Sequence, residues 1–147
     1  MELLSIASGS SGNCYYVGNE ETHLLVDAGV SGKKIETALN EIDRKPSDLD
    51  GILVTHEHID HVKGLGVMAR KHGIPIYTTG GTISEIKKMS SVGTIDDSLF
   101  HEIEPDEPFI INNLSIDASA IWHDAADPVC YSISDGKSKF SIATDMG

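Results

Sequence analysis

Cysteine is scarce. Cys14 and Cys130 are the only two thiols in 147 residues, too few for the disulfide framework that staples small secreted domains. Both fall in segments that read as strands, which suits buried, reduced thiols and a cytoplasmic protein. Basic residues are scarce as well. Lys and Arg number 11 against 23 Asp and Glu, a formal net charge of −12 at pH 7. A groove for polyanions needs clustered Lys and Arg, so undirected binding to nucleic acid is disfavoured on these residues. Aromatic side chains make up only 5 %. Long hydrophobic runs are absent. The opening Met1-Glu2-Leu3-Leu4-Ser5 has no basic region and its apolar stretch breaks at Ser8-Gly9, which excludes a signal peptide and a membrane span. Repeats, linkers and low-complexity segments are missing too, so residues 1–147 read as a single domain, long enough to bury a core.

What the chain does have is concentrated in one place. Thr55-His56-Glu57-His58-Ile59-Asp60-His61 puts three imidazoles and two carboxylates directly after the apolar run Ile52-Leu53-Val54. His56 and His58 are two apart, so at the end of an extended strand their side chains leave the same face. Asp60 and His61 can swing toward the same point once the backbone turns. Neutral imidazole and carboxylate are the usual nitrogen and oxygen ligands for zinc and similar divalent ions. Four such groups exceed what one tetrahedral ion takes while keeping a position open for water, which suggests two metals side by side. Glu57 alternates to the opposite side and is expected in solvent.

The order of elements follows from period and punctuation. Leu3 to Ala7, Cys14 to Val17 and His23 to Val26 read as short strands between Gly/Ser/Asn-rich turns. Ser31-Gly32 opens a helix with Ile35, Leu39 and Ile42 at helical spacing. Gly51 to Val54 is a buried strand, Val62 to His72 a helix capped by Gly73, and Ile74 to Tyr77 the next strand. Gly80-Gly81-Thr82 supplies the turn and N-cap of a helix through Lys88. Strands follow near Phe109 to Ile111 and Leu114 to Ala118. Val129 to Ser134 and Lys139 to Thr144 form a hairpin around Asp135-Gly136, a dipeptide suited to the positive φ of a tight turn. The loop Ser8-Gly9-Ser10-Ser11-Gly12-Asn13 admits two readings. It is a hairpin turn, or a backbone cradle for phosphate, though not a Walker loop, since it lacks Gly-Lys-Ser/Thr and precedes a strand.

The pattern His-x-His-x-Asp-His at a strand end resembles the signature of the metallo-β-lactamase-fold hydrolases. Val26-Asp27-Ala28-Gly29 resembles the D-x-G turn of that superfamily. His123, in Ile121-Trp122-His123-Asp124, stands where the third histidine ligand is found, and Asp145 where an aspartate bridges both metals. With Ser5-Ile6-Ala7-Ser8-Gly9-Ser10-Ser11-Gly12-Asn13-Cys14, the chain is similar to the YycJ-like branch, on the nuclease and phosphodiesterase side. The resemblance implies an α/β fold, an αββα sandwich represented mainly by its N-terminal half. It implies a first metal at His56, His58 and His123, and a second at Asp60, His61 and Asp145. Asp27 would act from behind a ligand rather than bind metal. Family members continue into a second half that supplies the last histidine of the second site. This chain stops two residues after Asp145, which implies that the C-terminal half is missing.

The expected activity is metal-dependent hydrolysis by a hydroxide bridging two divalent ions, zinc in the first place, with manganese or iron as alternatives. Asp60 would orient the nucleophile or take its proton. Phosphodiesters, nucleic acid included, are the substrate class that the YycJ-like resemblance implies. Ester, thioester or lactone hydrolysis uses the same metals. Two other classes stay open: an inactive metal-binding half-domain, and a di-iron redox protein, whose relatives usually carry an acidic residue where His58 stands. His23, His72 and His101 match nothing in the pattern. Half a sandwich leaves one sheet face uncovered, so the rest of a longer chain, or a second copy in a homodimer, is expected to cover it.

Overall fold

A computed structural model describes residues 1–122 and 124–142. Its first sheet has six strands. An antiparallel meander starts it, β1 (Glu2–Ala7), β2 (Cys14–Gly18) and β3 (His23–Val26). Parallel strands β4 (Gly51–Leu53), β5 (Ile76–Thr78) and β6 (Phe100–Glu102) continue it. Parallel pairing requires crossovers, and helices supply them. These are α1 (Gly32–Glu41), the single turn α2 (Ile59–Val62), α3 (Leu65–His72) and α4 (Gly80–Lys87). The second sheet, of four strands, is antiparallel: β7 (Phe109–Ile111), β8 (Leu114–Ala120), β9 (Val129–Ser134) and β10 (Lys139–Ile142).

Alternation along β3 shows how the layers form. Leu25 points to the helices, into a cluster with Tyr16, Ile52, Val54 and Ile76 from the strands, Ile35 and Leu39 from α1, and Leu65 and Met68 from α3. Leu24 and Val26 point the other way, onto Leu53, Leu114, Ile116, Val129, Tyr131 and Ile133. Each fully buried side chain of this size contributes roughly 1.5–3 kcal/mol by leaving water. Tyr131 also ties the sheets together, its hydroxyl donating to Val54 O at 2.8 Å.

Three differences from the sequence reading have physical causes. The face expected to be uncovered is covered within the chain itself, because β7–β10 form a second sheet against it. Most outward residues of that sheet, Ser115, Ser119, Ser132 and Ser141 among them, are polar, with Ile110 an exposed apolar exception. The helix expected over Val62 to His72 is two helices. Gly64 interrupts it where its N–H donates to Ala28 O at 2.7 Å, and a Cβ there would lie 2.2 Å from Val30 O. Asp60 and His61 sit on the single helical turn α2, where the backbone turn after the strand was expected. The third helix starts one turn earlier than expected, with Thr79 as its N-cap residue instead of Thr82. Thr79 lends its hydroxyl to Asp127 O at 2.8 Å.

The remaining histidines are accounted for locally. His23 pairs with the Tyr16 hydroxyl at 2.7 Å, His72 with Glu36 at 3.1 Å, and His101 stacks on Tyr77. Cys14 is buried and unbridged, and burial pushes its thiol far above the ordinary range. Among the described residues no helix is long and apolar enough to cross a membrane.

Candidate metal centre

Strands β3 and β4 run parallel with Val26 beside Leu53, so the residues following each emerge side by side at the carboxyl edge of the sheet. That edge is where open α/β sheets place their ligands. Asp27 follows β3 in the left-handed region, at φ 63°, a conformation that aspartate tolerates better than most residues. Its N–H donates to Leu53 O at 2.7 Å. Thr55 and His56 follow β4, His58 caps the turn α2, and Asp60 and His61 lie within it.

The Asp27 carboxylate is the hub. It accepts the Thr55 N–H at 2.8 Å, the Thr55 hydroxyl at 2.8 Å and His61 Nδ1–H at 2.6 Å. Burial pushes its carboxyl up from the ordinary range, and the bonds from His61 and Thr55 pull it back. Three donors converging on one group is an arrangement that an acceptor-only, ionised carboxylate satisfies in full. The Thr55 hydroxyl has a single proton, which goes to Asp27. Its oxygen, 2.9 Å from His56 Nδ1, therefore accepts from that ring. Both His56 and His61, fully buried, thus carry their proton on Nδ1 and their lone pair on Nε2, the tautomer a metal ligand needs.

The rings gather closely. His56 and His61 have centroids 4.0 Å apart, and His58 meets His56 edge-on at 4.7 Å. Asp60 Oδ2 lies 3.6 Å from His61 Nε2. Two donors on one tetrahedral ion at about 2.0–2.1 Å stand roughly 3.3 Å apart, so that spacing fits a shared ion. His123 and Asp145, the other two expected ligands, lie outside the described residues. Among the described residues no three His, Cys, Asp or Glu side chains form a complete metal-holding group. The donor chemistry fits divalent ions, with His56, His58, Asp60 and His61 able to contribute.

Two residues of this neighbourhood had no assigned part in the sequence reading. Thr55 links both histidines to Asp27; as a lone threonine at a strand end it gave no signal. Asn13, 4 % exposed, reaches the site from the Gly/Ser loop. That loop is the turn of the β1–β2 hairpin, and three of its N–H groups are used inside the protein. Gly9 N–H goes to Asn13 Oδ1, Gly12 N–H to Gly9 O, and Asn13 N–H to Asp60 O. Glu57 also departs from expectation. Instead of standing in solvent, it is half-buried and accepts the Ala126 N–H at 3.1 Å, while Val129 N–H donates to Thr55 O at 3.0 Å. Ala126 and Val129 are thereby held against the histidine motif.

Comparisons with known proteins bear on the family and the fold. The model of the metallo-beta-lactamase superfamily matches residues 7–147. An exodeoxyribonuclease WalJ of Streptococcus pneumoniae is 42 % identical over 142 residues, 97 % of this chain and 53 % of its own length. An exodeoxyribonuclease YycJ of Bacillus anthracis is 38 % identical over 142 residues, again 97 % of this chain and 53 % of its own. The chain thus spans about half the length of the curated relatives it matches. Among solved structures, a metallo-beta-lactamase of Cronobacter sakazakii superposes with a TM-score of 0.79 at 13 % identity, covering 96 % of this chain and 60 % of the other.

Proposed function

Since the chain belongs to the metallo-beta-lactamase superfamily, we propose that it is the metal-binding part of a divalent-metal-dependent phosphodiesterase acting on DNA. One observation carries this reading. Two buried imidazoles are locked in the ligating tautomer by Thr55 and Asp27, with the Asp60 carboxylate 3.6 Å from His61 Nε2. The names of the two bacterial relatives support DNA as the substrate.

In this proposal His56, His58 and His123 hold one ion, and Asp60, His61 and Asp145 a second, zinc first among the candidates. Bound there, divalent ions supply a water acidic enough to attack at neutral pH and a Lewis acid for the phosphoryl oxygen. The protein's own residues do the rest. Asp27 and Thr55 keep both rings from rotating, so ligand geometry is settled before substrate arrives. Asp60, half-buried, would accept the proton of the attacking water. The net charge of −12 would repel a polyanion, and four charges from two ions at one place offset that repulsion where the scissile phosphate binds. The thiols of Cys14 and Cys130, free in the structure, suit a cytoplasmic location.

The test is release of nucleotides from labelled single- and double-stranded DNA, with and without chelator. Chelated protein should be inactive and regain activity with Zn²⁺ or Mn²⁺. His56→Ala, His61→Ala and Asp60→Asn should each lower kcat by about two orders of magnitude or more. Metal-independent cleavage, or turnover of thioesters and lactones with none of DNA, would overturn the proposal.

A further inference from the structure

Asn13 is 47 residues from Asp60 in sequence, yet its amide lies against the candidate site. The orientation of that amide is fixed by its neighbours. Oδ1 faces the Gly9 N–H at 3.2 Å, which can only donate. Nδ2 faces Gly9 O at 2.9 Å, which can only accept. The remaining amide hydrogen points among Asp60 Oδ2 at 3.3 Å, Asp60 O at 3.4 Å and His61 Nε2 at 3.3 Å. The main chain of Asn13 is clamped as well, donating to Asp60 O at 2.7 Å and accepting from Gly29 N–H at 2.8 Å.

These contacts converge on the two atoms that would bind one ion. His61 gives its Nδ1 proton to Asp27, so Nε2 offers a lone pair, and the Asn13 amide hydrogen lies toward it. The same group restrains the Asp60 carboxylate, whose side chain is 24 % exposed and would otherwise sample several rotamers. We propose that Asn13 is a positioning residue that pre-assembles Asp60 and His61 for their ion, by holding the carboxylate oxygen and the Nε2 lone pair where the ion will take them over. The inference rests on the metal reading above. When the ion arrives, the amide keeps Gly9 O and Asp60 O and gives up only its contacts to the Asp60 and His61 side chains. The ordering of the ligands is then complete before binding, which is how pre-organisation raises affinity.

The experiment is calorimetric titration of the metal-free protein with Zn²⁺, together with NMR measurement of the Asp60 χ1 couplings, for wild type and Asn13→Ala. Variants His56→Ala and Asp60→Asn assign which binding event belongs to which site. In Asn13→Ala the event that depends on Asp60 and His61 should weaken on the order of tenfold. The event that depends on His56 should stay within about twofold. The Asp60 side chain of the metal-free variant should show rotamer-averaged χ1 couplings in place of a single rotamer, while Asp27 keeps the His61 proton on Nδ1 in both proteins. Unchanged affinities and an unchanged Asp60 rotamer would overturn the inference even if the variant melts earlier, because a loop tie alone explains lost stability. Wild type taking up no ion would overturn the metal reading and this inference together, whereas wild-type binding with an indifferent Asn13→Ala overturns this inference alone. If Asn13→Ala fails to fold, Asn13→Asp keeps the acceptor for Gly9 N–H. A carboxylate there has no hydrogen to give Asp60 Oδ2, so the Asp60 couplings should average in that variant too, and a single retained rotamer would overturn the inference.

Discussion

Asp27 Oδ2 and His61 Nδ1 are 2.6 Å apart, both fully buried, and this bond decides which nitrogen of His61 can bind a metal. An anionic acceptor fixes the proton on Nδ1, and the imidazole becomes a better donor at Nε2. Asp27 also holds Thr55, and Thr55 holds His56. One carboxylate thus orients two rings.

Asp27→Asn should keep the fold, since asparagine also tolerates φ near 63° and keeps a side-chain acceptor for Thr55 or His61. Metal affinity should fall by about 10–100-fold, because an amide no longer offers the anionic acceptor. Asp27→Ala should cost more, about 2–4 kcal/mol, by leaving buried donors unsatisfied in a left-handed backbone. Urea unfolding and metal titration on the same samples check both. An Asp27→Asn protein with wild-type affinity would remove Asp27 from the site.

Thr55→Val should destabilise the protein by about 1–2 kcal/mol and weaken metal binding, while Thr55→Ser retains both properties largely. The hydroxyl relays Asp27 to His56, and serine preserves it. Trp122, the single tryptophan, is 95 % exposed and adjoins His123 in sequence, so its fluorescence offers a readout of the titration. Equal behaviour of the valine and serine variants would show that the relay is dispensable.

Gly29→Ala should be among the most damaging single-methyl additions. A Cβ at Gly29 would lie 1.7 Å from Asp60 O and 2.7 Å from Asn13 N, in a place where three backbone segments meet. The expected loss is about 3 kcal/mol or more, at the upper end for overpacking. Ordinary stability in a thermal melt would contradict the close approach of α2 to the Asp27–Gly29 turn.

Stability should fall on mild acidification partly through His23. Burial holds its imidazole below the ordinary 6.5, with the Arg44 guanidinium adding to this and Asp50, Asp48 and Glu2 opposing it. A lowered folded-state value means that the unfolded chain takes the proton first. The contribution is complete above about pH 6.5 and is lost as pH falls from there toward the folded value. His23→Gln should therefore lose less stability than wild type between pH 7.5 and 5.5. Parallel curves for the two proteins would rule out this source.

Much of the centre was legible because it is local. His56, His58, Asp60 and His61 fall within six positions, and their residue types name the chemistry without any fold. Strands β3, β7 and β9 match the periodic reading to the residue, since period-two alternation and turn residues act over a few positions. Strand β6, three residues with the polar pair His101 and Glu102, carried no such signal; pairing with β5 makes it a strand.

The sequence by itself determined the order of elements and the family resemblance and named the candidate ligands, because each resides in residue type and short spacing. Tertiary structure alone decided that Asp27 meets His61 across 34 residues and Asn13 meets Asp60 across 47. It also decided that the second sheet covers a face that sequence reading left open. Those contacts depend on β3 and β4 running parallel and ending together, and on Gly29 and Gly64 letting main chains approach within a Cβ's breadth. Such distances are properties of packed backbones and leave no periodic trace in the residues that make them.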